Sequence, residues 1–88
     1  MNWQHSNRSK TDYFRAPKKI QKAFDKQAHF LAVNLLHPSL HAKKYDEAND
    51  IWQARVNRNW RFYFKIDDDA YIIAAIVPHP KWRKPLAG

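Results

Sequence analysis

The sequence predicts an α+β fold in which two N-terminal helices pack on one face of a small, mainly antiparallel, twisted sheet. Three observations predict it. In residues 51–66, Trp52, Ala54 and Val56 alternate with Gln53 and Arg55, and Trp60, Phe62, Phe64 and Ile66 alternate with Arg61, Tyr63 and Lys65, which is the two-residue period of strands. After Pro17, the residues Ile20, Ala23, Phe24, Ala28, Leu31 and Leu35 recur every three or four positions, the period of a helix lying against a core. Residues 70–77 are apolar on both faces, as a central strand covered from both sides is.

Residues 2–5 read as a short strand anchored by Trp3. Ser6 then supplies an N-cap oxygen for a helix over residues 7–15, where Tyr13 and Phe14 give some apolar surface and Arg8, Lys10 and Arg15 stay in water. Pro17 suits the first turn of the second helix, because its missing N–H has no intrahelical partner there. His37-Pro38 stops that helix, since the residue before a proline avoids helical backbone angles. Its outer face carries Lys18, Lys19, Lys22 and Lys26, a row that is either a solvated face or a contact for RNA or an acidic partner. Residues 37–50 read as a loop held down by Leu40 and Tyr45. His37 and His41 lie four residues apart, but Pro38 argues against a helix there and no carboxylate nearby in sequence completes a set, so no metal site is expected.

Residues 57–59 are the turn between the two alternating strands. Keeping each face uniform selects the register, because a slip of one residue moves every side chain of a strand to the other face. A three-residue loop with Asn59 left-handed sets Val56 opposite Trp60, Ala54 opposite Phe62, Arg55 opposite Arg61 and Gln53 opposite Tyr63. Two arginines then face each other, which destabilises an antiparallel pair. Either water screens them or both guanidinium forks hold an anion, and a phosphate suits that position. Trp52, Trp60, Phe62 and Phe64 alternate away from the arginines and so read as core rather than as a base-stacking platform. Asp67, Asp68 and Asp69 make an acidic turn without the spacing of a calcium loop. Pro78-His79-Pro80 ends the last strand, and Lys81, Trp82, Arg83 and Lys84 begin a basic tail.

At 88 residues the chain is one small domain, residues 1–88, and with no cysteine it must be held by packing alone. Sixteen Lys and Arg against eight Asp and Glu leave +8, a balance that favours nucleic acid or an acidic protein as partner. The first residues lack the apolar core of a signal peptide and no apolar run reaches the length of a membrane span, so a cytoplasmic protein with no membrane partner is expected.

His37-Pro-Ser-Leu40, Lys43-Lys44, Asp50-Ile-Trp-Gln-Ala-Arg-Val56, Trp60-Arg-Phe-Tyr-Phe-Lys-Ile66 and Ile76-Val-Pro-His-Pro-Lys81, behind a strand and two helices, resemble the RelE/ParE superfamily of bacterial type II toxins. In the RelE-like branch the resemblance implies an mRNA endonuclease that works on translating ribosomes at the 30S A site, with basic residues on the open face of the sheet. Arg61 matches the arginine that holds the scissile phosphate, and Arg55 falls where the preceding strand often has a lysine or arginine. His79 falls near a terminal catalytic residue, while Gln53 and Pro80 depart from frequently basic positions. The resemblance implies attack of a ribose 2′-hydroxyl on its own 3′ phosphate, which needs a base, an acid and cations but no metal or other cofactor. A histidine titrating near neutrality can take either proton role, which makes His79 the candidate; Arg55 and Arg61 would stabilise the phosphorane. Lys43, Lys44, Gln53, Arg58, Tyr63, Lys65 and Lys81, with Lys18, Lys19 and Lys22 on the helix, complete the expected RNA-binding set. An acidic cognate antitoxin is the implied partner. The alternatives are a ParE-like inhibitor of DNA gyrase and a non-catalytic binding module of the same fold.

Overall fold

The computed structural model describes residues 1–79, and the tail with Lys81, Trp82, Arg83 and Lys84 lies outside the described residues. The elements are β1 (Asn2–His5), α1 (Asn7–Arg15), α2 (Lys18–Val33), a 3₁₀ turn (Pro38–Leu40), β2 (Lys43–Asp46), β3 (Ile51–Arg55), β4 (Trp60–Asp67) and β5 (Ala70–Pro78). The strands form a single sheet in the order β1-β5-β4-β3-β2, with β1 parallel to β5 and the other neighbours antiparallel. The expected α+β architecture is the one observed.

Ser6 caps α1 as its position predicts, its hydroxyl accepting the Ser9 N–H at 3.1 Å. It also stitches the helix to β5, donating its N–H to the Ile73 carbonyl at 3.0 Å and its hydroxyl to that of Ala74 at 3.3 Å. β1 pairs with β5 only as far as Ile73. Beyond that point Asp12 of α1 takes over, its carboxylate accepting the Ile76 N–H at 3.0 Å, so the exposed side of a central strand is satisfied by a helix side chain. α2 stops at Val33, before Leu35, where its apolar period ends. Asn34 is extended there, and its side-chain oxygen accepts the Leu36 N–H at 2.9 Å, a local bond that competes with continuing the helix.

The core lies between the helices and the sheet. Phe24, Ala28 and Leu31 of α2, Leu40 of the 3₁₀ turn, and Phe62, Phe64 and Ile73 of the sheet are fully buried. Phe24 is their hub, meeting Trp3, Phe62 and Tyr13 edge-on at centroid distances of 5.4, 5.2 and 5.9 Å. Such pairs contribute roughly 0.5–1.5 kcal/mol each beyond area burial. Trp52 and Trp60 pack at the margin of this cluster, half-buried.

Two local expectations are corrected. Residues 37–50 are not a plain loop: they hold the 3₁₀ turn and the edge strand β2, whose sequence Lys-Lys-Tyr-Asp carries no apolar alternation to announce it. β2 forms because β3 offers it an open edge, pairing Lys43 with Gln53 and Lys44 with Trp52 before the register shifts. Asn59 is not left-handed; the positive φ values among described non-glycine residues belong to His41, Asp50 and Asp68. The hairpin closes on Asn57 instead, whose side-chain oxygen accepts the N–H groups of Asn59 and Trp60, each at 2.9 Å. The register is nonetheless the expected one, with Ala54 opposite Phe62, Arg55 opposite Arg61 and Gln53 opposite Tyr63.

The apolar run of β5 also gains a reason. Tyr63 pairs with Ala75 and Phe64 with Ile73, so Ala74 is a bulge. The bulge changes the phase of alternation, which is why Ile73 and Ile76, three apart, both join the core facing the helices.

Candidate active site

The pairing register places Lys43, Gln53, Arg55, Arg61 and Tyr63 on the face of the sheet opposite the helices. That face divides in two. One half is closed over by a second small apolar cluster of Ile51, Tyr63 and Ala75, flanked by Tyr45, Ala74 and Val77. Gln53 and Tyr63 are buried in it, with the Gln53 amide donating to the Tyr63 hydroxyl at 3.0 Å and the Tyr45 ring 4.9 Å from the Tyr63 ring. The expected open position of Tyr63 is thus corrected: β2 lays Tyr45 against it, and strand alternation alone does not reveal a second cover. Burial pushes the Tyr63 hydroxyl above its ordinary pKa and so favours its neutral form, an effect that the bond from Gln53 opposes.

The other half opens into a cavity of about 410 Å³ lined by His41, Lys43, Gln53, Arg55, Arg61 and His79 together with two alanines. Arg55 is exposed and Arg61 half-buried. Arg61 is anchored to the hairpin turn through Nη1, which donates to the carbonyls of Asn57 at 2.9 Å, Trp60 at 3.0 Å and Arg58 at 3.3 Å. Desolvation and then the charge of Arg55 lower the Arg61 pKa. Both causes disfavour a guanidinium cation without a counter-ion, so an anion between the two arginines would relieve them. His79 reaches the cavity because its N–H donates to the Asn59 carbonyl at 2.8 Å, which ties the end of β5 to the hairpin turn.

His41 is the residue that sequence reasoning missed as a site member. It caps the 3₁₀ turn with φ of 47°, its N–H donating to Pro38, and this left-handed step turns the chain from Leu40 in the core out to Lys43 on the opposite face. Its position directly after a buried Leu and before the basic pair was the available signal. His37 is placed elsewhere: its ring stacks on Phe30 at 3.9 Å and its Nδ1 accepts the Ser39 N–H at 3.2 Å.

Several expected RNA-contacting residues stand outside this cavity. Lys44 faces the other way, bonded to Asp50 at 2.6 Å with its ammonium 5.2 Å from the centre of the Trp52 ring, and Asp50 raises its pKa. Lys65 lies four residues along β4 from Arg61, roughly 13 Å at strand spacing. Lys18, Lys19 and Lys22 are exposed on α2. Arg58 sits exposed on the hairpin turn, and Lys81 is outside the described residues.

The architecture defines a class: a small α+β fold with a cationic cavity at the turn end of a β-hairpin. The fold is shared with solved structures of bacterial YoeB, YoeB/ParE and RelBE2 proteins. It is similar to the YoeB dimer from Staphylococcus aureus, with 21% identity, a TM-score of 0.74 and coverage of 90% of this chain and 97% of that one. A YoeB/ParE toxin from Agrobacterium tumefaciens matches with 12% identity and a TM-score of 0.75, over 90% of this chain and 99% of that one. The toxin–antitoxin complex RelBE2 from Mycobacterium tuberculosis matches with 20% identity and a TM-score of 0.73, over 89% and 96%. No protein-family model and no curated protein sequence matches the chain.

Proposed function

We propose that this chain is the toxin of a type II toxin–antitoxin pair and that it cleaves mRNA on translating ribosomes. The observation that carries the reading is the convergence of Arg55, Arg61, His41 and His79 on one cavity. A phosphodiester seated between the arginines would have its charge neutralised as it builds on phosphorus. One histidine removes the proton of the ribose 2′-hydroxyl, whose oxygen bonds to phosphorus. The other protonates the departing 5′ oxygen, leaving a 2′,3′-cyclic phosphate and a free 5′-hydroxyl. Lys43 adds positive charge at the rim, and the Gln53–Tyr63 bond gives the cavity a fixed wall. The chemistry calls on no cofactor.

Lys18, Lys19 and Lys22 on the outer face of α2 meet ribosomal RNA in this reading, and the message is presented in the 30S A site. Among the described residues no helix is long and apolar enough to cross a membrane, and in this reading the reaction takes place in the cytoplasm, where the ribosomes are. The partner that silences the toxin is an acidic antitoxin, complementary to the +8 chain. The likeness to a toxin–antitoxin complex supports that partner.

The test is 5′-end mapping of an mRNA incubated with the purified protein, with and without translating ribosomes. New ends that require ribosomes and vanish with Arg61→Ala are the expected result, with His79→Ala and His41→Ala each slowing cleavage by about 10²-fold or more. Absence of new ends under every condition sinks the reading. The likeness to a structure described as YoeB/ParE then favours a gyrase supercoiling assay, and a negative result there leaves the non-catalytic module.

A further inference from the structure

A second cavity of about 660 Å³ opens beside the first, between α2 and the hairpin turn. His41 and Arg55 line both, so the two are adjacent compartments of one basic trough. The second adds Lys26 from α2 and Arg58 from the turn over a floor of small apolar groups, Ala23 and Val56. Among the described residues its lining holds no carboxylate. The one near in sequence, Asp25, accepts the Tyr13 hydroxyl at 3.1 Å toward α1. Underneath, the buried Gln27 amide donates to the carbonyls of Ser39 and Arg55, each at 3.0 Å, which fixes the wall carrying His41 against the strand carrying Arg55. The trough therefore has a rigid base and a cationic rim, and it leads away from the arginine pair in one direction.

We infer that the second cavity holds the phosphate next to the scissile one, gripped by Lys26 and Arg58, so that the RNA strand runs from the Arg55–Arg61 pair across His41 toward α2. This rests on the RNA-cleavage reading above and adds a binding site to it. Single-stranded RNA fits because its backbone presents one phosphate per nucleotide, and small apolar side chains leave room for sugar or base between contacts. A lone anion would need only one of the compartments.

The test is a two-by-two comparison of cleavage rates on ribosome-bound message. One axis is the message, either natural or with a neutral methylphosphonate replacing one phosphate flanking the cut, each side tried in turn. The other axis is the protein, either unchanged or carrying Lys26→Gln with Arg58→Gln, both at exposed positions so that folding is retained. On one side of the cut, the neutral linkage is expected to slow the unchanged protein about tenfold. The double substitution should slow cleavage of the natural message by a similar factor, with no further loss when the two are combined. Losses that multiply would show that these cations touch ribosomal RNA instead and would overturn the inference, as would a double variant that cleaves like the unchanged protein. In both of those cases cleavage itself persists, so the reading of the first cavity survives. Absence of cleavage with every message and protein overturns both.

Discussion

Gln27 is the place where fold and site are joined, and Gln27→Met tests that join. The side chain is 3% exposed, donates to the Ser39 and Arg55 carbonyls at 3.0 Å each, and accepts the Ser39 hydroxyl at 3.2 Å. Methionine keeps the volume and removes all three bonds. A stranded acceptor costs about 1–3 kcal/mol. The Ser39 end lies at an exposed residue and its hydroxyl retains the His37 ring nitrogen at 3.0 Å, so its share falls at the low end. The sum is about 2–4 kcal/mol, which for a domain of this size is a fall in Tm of roughly 10–25 °C. Urea unfolding followed by circular dichroism measures it, with the midpoint lowered and the slope unchanged. Because the same bonds hold His41 and Arg55 in position, cleavage measured well below the lowered Tm should fall by a larger factor than the unfolded fraction accounts for. A loss under about 0.5 kcal/mol would show that water or a neighbour replaces the amide, and the reasoning would fail. A large stability loss with full activity per folded molecule would refute the positioning role alone.

The facing arginines predict a trade between stability and activity: Arg55→Gln should raise stability by about 0.2–1 kcal/mol by removing a like charge opposite Arg61, while cleavage falls at least tenfold. Thermal melts and end mapping on the same preparation check both signs. Burial, followed by the charge of Lys10 and opposed by Asp25, lowers the pKa of His5, whose Nδ1 lies 2.7 Å from the Ser9 hydroxyl. The unfolded chain then takes up this proton first, so the His5 contribution is complete above about pH 6.5 and is lost as pH falls through the folded value. Melts from pH 8 to pH 5 should show that decline, and a His5→Gln variant with an equally steep decline would assign it elsewhere. Replacing Lys18, Lys19 and Lys22 together by Gln should weaken ribosome binding and flatten its logarithmic salt dependence by about 2, from three contacts at roughly 0.7 each. Unchanged binding across the salt series would remove the helix face from the interface.

Alternation alone determined a large part of this molecule. The apolar residues of β3 and β4 specify the hairpin register, because a one-residue slip would bury Arg55, Arg61 and Lys65, and that register brings the two arginines together. The three- and four-residue recurrence of Ile20, Phe24 and Leu31 determined which side of α2 enters the core, and Ser6 and Pro17 marked the helix starts. Only the tertiary structure decided the rest, because the deciding contacts join residues far apart in the chain. β2 is a strand only because β3 presents an unpaired edge, and its arrival lays Tyr45 on Tyr63, converting half of an open face into a second core. The bulge at Ala74 changes which side β5 shows, which no local pattern encodes. Gln27 interrupts an apolar stripe for carbonyls 12 and 28 residues away. His41 and His79, separated by most of the sheet in sequence, meet at one cavity because a left-handed cap turns one and the hairpin carbonyl of Asn59 holds the backbone of the other.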